Sequence, residues 1–203
     1  ASGADSQEQT RKLPRVYEQA SQHIRSEARQ LRDPALLAAR VLELLHTTLY
    51  RRYHETRTTL IHVLETGDYN CVSSALLYNY TLERMGLATR AVTVPGHVYS
   101  LVLVRGRWIE VETTHRHGYN PLRQPLPADR AGGRPHIPDK GDPKKKQYLE
   151  NRYFTTLIYY NRGTLAFHDP DPLVPVALFV KALLIHPGHT EAEENLLAVF
   201  ARW

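Results

Sequence analysis

One stretch of the chain, residues 67–114, limits its possible folds more than any other. A helical apolar pattern starts there at the only cysteine, Cys71, and runs through Val72, Ala75, Leu76, Tyr80, Leu82 and Met85. Gly86 follows, a residue suited to the position just past a helix end. Three β-rich runs, 88–94, 97–104 and 107–113, come next with short breaks between them. A helix of about four turns followed at once by three strands predicts a mixed α+β fold.

Arg105-Gly106 is a turn signal, so the last two runs form a hairpin. With those two residues as the turn, Val104 faces Arg107, and the register carries back along both strands. His97 then faces Thr114, with Glu112 one diagonal neighbour away on the same face. Glu110 shares that face but lies two residues further off. Val98, Val102, Val104, Ile109 and Val111 point the other way.

This patterning gathers a chemistry. Cys71 starts its helix, where unpaired N–H groups and the helix dipole favour thiolate and can hold an oxyanion. His97, after a Pro-Gly pair, can take the thiol proton. Glu110 or Glu112 can orient the imidazole. A thiol, a base and an orienting group are what acyl transfer by cysteine requires. Tyr69 and Asn70 are expected to cap the helix or to line the site. Trp108 is expected in the core or the pocket wall, and Arg90 in a buried ion pair with Glu110.

Outside this stretch, residues 1–12 are polar and expected to be mobile, and 14–31 carry a weakly apolar helical pattern. Asp33-Pro34 starts a helix predicted over 35–53. A shorter apolar segment, 56–65, ends at Gly67-Asp68. Residues 115–146 are rich in proline and glycine and read as a long loop, either a lid or substrate wall or surface decoration. His115, His117 and Tyr119 at its start are its candidates for substrate contact. His115, His117 and His136 lack a spacing that gathers zinc ligands. Three helices are predicted at the end, 151–167, 172–185 and 190–203. The expected organisation is N-terminal helices over 1–55, a core over 56–150 and C-terminal helices over 151–203.

The net charge of +5 is mostly arginine, spread among acidic residues, so nucleic acid is not an expected partner. One cysteine excludes an internal disulfide. No apolar run approaches the roughly 20 residues of a membrane span, which suits a soluble chain. The small polar residues 1–10 are what trimming after an export signal leaves, and equally what a cut inside a longer protein leaves, so the compartment stays open.

The stretch also resembles the transglutaminase-like core, the papain-related superfamily of bacterial transglutaminase-like peptidases and amidases. The resemblance rests on Asn70-Cys71, Gly86-Leu87-Ala88-Thr89-Arg90, Gly96-His97, and Trp108 ahead of Glu112-Thr113. It implies a papain/transglutaminase-like core, with the cysteine at the start of a helix packed on an antiparallel sheet and helices flanking it on both sides. It implies Cys71 as nucleophile, His97 as general base and then acid, and Glu112, where the family usually has Asp, orienting His97. Substrate contacts are expected from Tyr69, Asn70, Trp108 and His115. The implied reaction is thioester-mediated cleavage of an amide bond in a peptide or protein, with no cofactor. Transfer to a lysine amine and a non-catalytic peptide-binding module are the alternatives. Gly163, Phe179, Ala182 and Pro187 are spaced as in one tetratricopeptide-like helix pair, with Pro175 where a small residue is usual. That pair offers a surface for a protein partner.

Overall fold

The structure, a computed structural model, describes residues 7–119 and 146–203. Two compact units divide the chain, one within 2–151 and one over 152–203. The lid or wall expected over 115–146 lies for the most part outside the described residues.

The first unit opens with helix α1 (Gln7–Ala28). It starts earlier than the apolar pattern indicates and takes in polar residues expected to be mobile. Glutamine, glutamate, arginine and lysine there are straight-chain residues that lose little freedom in a helix. Asp33 caps α2 (Pro34–Thr48), accepting from the N–H of Ala35 at 2.8 Å and of Leu36 at 3.4 Å. The helix ends at Thr48, short of the predicted position 53. Thr47 and Thr48 turn their hydroxyls back on the carbonyls of Glu43 and Leu44. The chain then leaves to form β1 (Arg52–Tyr53), which pairs in parallel with β2 (Asp68–Tyr69). Helix α3 (Leu60–Thr66) lies between those two strands.

Helix α4 (Cys71–Glu83) follows β2 directly. Strands β3 (Thr89–Val94), β4 (His97–Val104), β5 (Arg107–Val111) and β6 (Gln147–Leu149) form one antiparallel sheet in the order β5-β4-β3-β6. The mixed helix-and-sheet class expected from the sequence is present. The hairpin register agrees too: Val104 pairs with Arg107 and Ser100 with Val111. Arg105 and Gly106 both have positive φ, 49° and 76°, as a tight two-residue hairpin turn demands. β6 carries no sequence signal of its own. Three residues are too few for a period-2 pattern, and pairing with β3 makes them a strand.

One face of the sheet joins the helices. Val102, Val104 and Val111 pack in a buried cluster with Ile24 and Ala28 of α1, Val41, Leu42 and Leu45 of α2, and Leu77, Tyr78 and Leu82 of α4. Each large apolar side chain so buried contributes about 1.5–3 kcal/mol. The hydroxyl of fully buried Tyr78 donates to the carbonyl of Ala38 at 3.2 Å, so α4 and α2 are tied by a satisfied polar contact.

The second unit contains α5 (Phe154–Leu165), α6 (Leu173–Ile185) and α7 (Thr190–Arg202). Phe179, Ala182, Ala192 and Val199 form its buried centre. At Gly163 α5 lies close against α6: a Cβ there would stand 2.6 Å from the Phe179 ring. Among the described residues no helix is long and apolar enough to cross a membrane.

Candidate active site

Gly67 prepares the site. Its φ of 77° ends α3, and its N–H bonds the carbonyls of His62 and Val63 at 3.1 Å. Two residues of strand and one of cap then lead to Cys71. Asn70 is that cap. Its Oδ1 accepts from the N–H of Val72 at 3.0 Å and of Ser73 at 3.1 Å, and the Ser73 hydroxyl accepts from the Asn70 N–H at 2.9 Å. Cys71 is the first residue of α4 and is buried. Its N–H lies one residue ahead of those the cap occupies.

His97 and Glu112 arrive from the sheet. Gly96, with φ 76°, turns the chain into β4, and His97 is its first residue. Glu112 directly follows β5. Imidazole Nε2 lies 2.7 Å from Glu112 Oε2, and both side chains are largely buried. The other carboxylate oxygen, Oε1, accepts from the N–H of Thr114 at 3.1 Å and from its hydroxyl at 2.6 Å. Glu112 is thus oriented on both sides.

The turn after Glu112 is held in turn by its surroundings. Tyr69 donates to the carbonyl of Thr114 at 3.3 Å, His46 Nε2 lies 3.0 Å from the carbonyl of Thr113, and the Thr113 hydroxyl meets that of Ser74 at 3.0 Å. The N–H of Glu112 donates to the carbonyl of Gly118 at 3.0 Å, and the N–H of Gly118 to that of His115 at 2.9 Å. Ser74 belongs to the cysteine helix, so one buried contact links the thiol's element to the carboxylate's.

With Nε2 on Glu112, Nδ1 of His97 is the nitrogen left for the Cys71 thiol, which interacts with the ring. Burial by itself would lower the imidazole pKa. The thiol and the carboxylate outweigh it, through hydrogen bonding and negative charge, and raise the value from 6.5 to about 9. His97 is therefore a cation at neutral pH. The consequence for stability has a definite sign. Protonated His97 stabilises the fold fully below pH 6.5, and that contribution is lost as pH rises toward about 9. Glu112→Gln removes one of the two groups, with Cys71, that raise the His97 pKa. In that variant the His97 pKa, followed by NMR, is expected to fall well below about 9, and the stability loss between pH 6.5 and 9 to flatten. Glu110→Gln leaves both near those of the parent; equal shifts in the two variants would reassign the orienting carboxylate.

Glu110 is engaged elsewhere. Its Oε1 takes Lys146 Nζ at 3.2 Å and the Tyr99 hydroxyl at 3.4 Å. Of the two carboxylates the sequence leaves open, the structure brings Glu112 to His97. Asn70 and Tyr69 stand beside Cys71 as structural groups. Asn70 Nδ2 donates to the carbonyl of Glu55 at 3.0 Å, and Tyr69 is buried among Tyr50, Tyr53 and His46.

Three expectations are corrected. Trp108 pairs with Leu103, six positions along β4 from His97, or about 20 Å at strand spacing, so it does not line the site. Arg90 is exposed and lies over the Trp108 ring, 4.8 Å from its centre, where it was expected in a buried pair. His115 is 1% exposed, and its Nδ1 accepts from the N–H of His117 at 3.0 Å; it braces the turn and presents no surface to substrate.

Two residues at the site escape sequence reasoning. Tyr53 is one: it shares an electrostatic environment with Cys71 and Glu112. Gly118 is the other, packed against the carbonyl of Glu112. A tyrosine in a predicted helix end and a glycine in a glycine-rich loop give no periodic signal. No family model, no curated protein and no solved structure matches the chain.

Proposed function

We propose that the first unit is a cysteine-dependent acyl-transfer enzyme that cleaves amide bonds in peptide or protein substrates, on a core of the transglutaminase-like, papain-related kind. The observation that carries this reading is the His97 imidazole, bound to Glu112 at 2.7 Å and raised to about 9 by that carboxylate and by the Cys71 thiol. A raised imidazole beside a thiol at a helix start favours a thiolate–imidazolium pair.

The steps follow from that pair. The Cys71 thiolate attacks the carbonyl carbon, and the carbonyl π electrons move to oxygen. The N–H of Cys71 faces the charge that develops. Imidazolium His97 gives its proton to the leaving amine as the C–N bond breaks, which leaves a thioester on Cys71. Neutral His97 then takes a proton from water, the hydroxide adds to the thioester, and the thiolate departs. Glu112 keeps the ring in one orientation through both halves. Hydrolysis needs no second binding site, whereas transfer to a lysine amine does.

Iodoacetamide tests the pair without any substrate. Cys71 is expected to label stoichiometrically at pH 6, and His97→Ala to slow that labelling by about 100-fold, since an isolated thiol near its reference pKa of about 8.5 is almost wholly protonated there. A thiol that reacts only above pH 8 in the parent chain points to a peptide-binding module instead.

A second role is favoured for the other unit by its surface. Leu184, Leu197, Phe200 and Trp203 are 78%, 62%, 48% and 68% exposed on α6, on α7 and just after it. Together with Gly163 against Phe179, this suits a tetratricopeptide-like helix pair that meets a protein partner.

A further inference from the structure

An oxyanion is best held by more than one preorganised donor. The N–H of Cys71 supplies one. The polar side chains beside it are already engaged. Asn70 Oδ1 accepts from two backbone N–H groups, and its Nδ2 donates to Glu55. The Ser73 hydroxyl donates to the carbonyl of Arg57 at 3.1 Å. A second donor has to come from another element.

β1 is that element. It pairs in parallel with β2, so Tyr53 lies opposite Tyr69, two residues before Cys71 and one strand spacing away, about 5 Å. The backbone on its far side is pinned to the cysteine helix. The N–H of His54 donates to the carbonyl of Tyr69 at 2.8 Å, and the carbonyls of Glu55 and Arg57 accept from Asn70 and Ser73. The Tyr53 ring stands edge-on to Tyr69, with centres 5.8 Å apart, and is 39% exposed. It is therefore held by the fold yet reachable from solvent, as a group that meets substrate must be.

We propose that Tyr53 is a further catalytic residue, whose hydroxyl donates a hydrogen bond to the substrate carbonyl oxygen as it becomes an oxyanion, opposite the N–H of Cys71. Burial, then the charges of Cys71, Glu55 and Glu112, hold its pKa well above the usual tyrosine value, so the hydroxyl keeps its proton at every working pH. Loss of that proton would remove the donor, and the neighbouring negative charges oppose it.

The assignment rests on the acyl-transfer reading, and two probes separate their fates. p-Nitrophenyl acetate acylates a thiolate through a tetrahedral oxyanion, whereas iodoacetamide alkylates it without one. Tyr53→Phe removes one oxygen and leaves the ring in place. The burst of p-nitrophenolate is expected to slow by about 100-fold in Tyr53→Phe, with alkylation of Cys71 at pH 6 within about twofold of the parent. The preserved alkylation also certifies the fold of the variant. An unchanged burst overturns the assignment, as does an equal fall in both reactions, which would place Tyr53 in support of the thiol alone. A parent protein with no burst, or one whose burst survives Cys71→Ala, overturns the acyl-transfer reading and this assignment with it.

Discussion

Cys71→Ala is expected to fold as the parent does and to transfer no acyl group. Release of p-nitrophenolate should fall to background, a loss of at least about 1,000-fold. The fold is expected to survive because little is removed. The side chain is buried at the first position of α4, and the cap that starts this helix uses the N–H groups of Val72 and Ser73. One sulfur atom is lost from a small space, at about 1 kcal/mol. The His97 pKa should also fall, since one of the two groups that raise it is gone. The checks are a burst experiment and a thermal melt on the same preparation. A variant that keeps the parent's burst removes Cys71 from the chemistry.

Gly118→Ala is expected to cost about 3 kcal/mol or more and to uncouple His97 from its carboxylate. The new Cβ would overlap the carbonyl oxygen of Glu112, and would lie 2.7 Å from its carbonyl carbon and 2.9 Å from the carbonyl oxygen of His115. All three are backbone atoms, so no change of rotamer relieves the overlap. The turn has to open. It then loses the bonds from Glu112 N–H to Gly118 and from Gly118 N–H to His115, and Glu112 no longer points at His97. Two readings check this: a lower denaturant midpoint, and a His97 pKa shifted down from about 9. A variant with both values unchanged would show that the turn yields freely and does not orient the carboxylate.

The two variants differ in how far they could be foreseen. Cys71, His97 and Glu112 are legible because each sits on a short-range pattern. A capped apolar run starts at the cysteine. A two-residue turn counts the hairpin back, and the observed pairing of Val104 with Arg107 agrees with that count. The order of the carboxylates was open, since Glu110 and Glu112 share a face. The folded contact decides it: Glu112 meets His97 at 2.7 Å, while Glu110 stands opposite Leu101, four positions along β4 from His97, and bonds Lys146 there. Trp108 and Arg90 differ from expectation for separate reasons. The same count that reaches Glu112 sets Trp108 opposite Leu103, far along β4 from His97. Arg90 shares a row with Leu101 and Glu110 but is exposed and turns onto the Trp108 ring.

Local physics thus wrote the helix that begins at Cys71 and the hairpin that brings in His97 and Glu112. Propensity, capping and turn geometry act over a few residues and can be read from residue order. Contacts between distant segments were decided only by the folded chain: the parallel pairing that sets Tyr53 opposite Tyr69, the close approach that demands glycine at 118, and the lysine that meets Glu110. Such contacts depend on which elements the hydrophobic core brings side by side, and nothing within a single element records its neighbour.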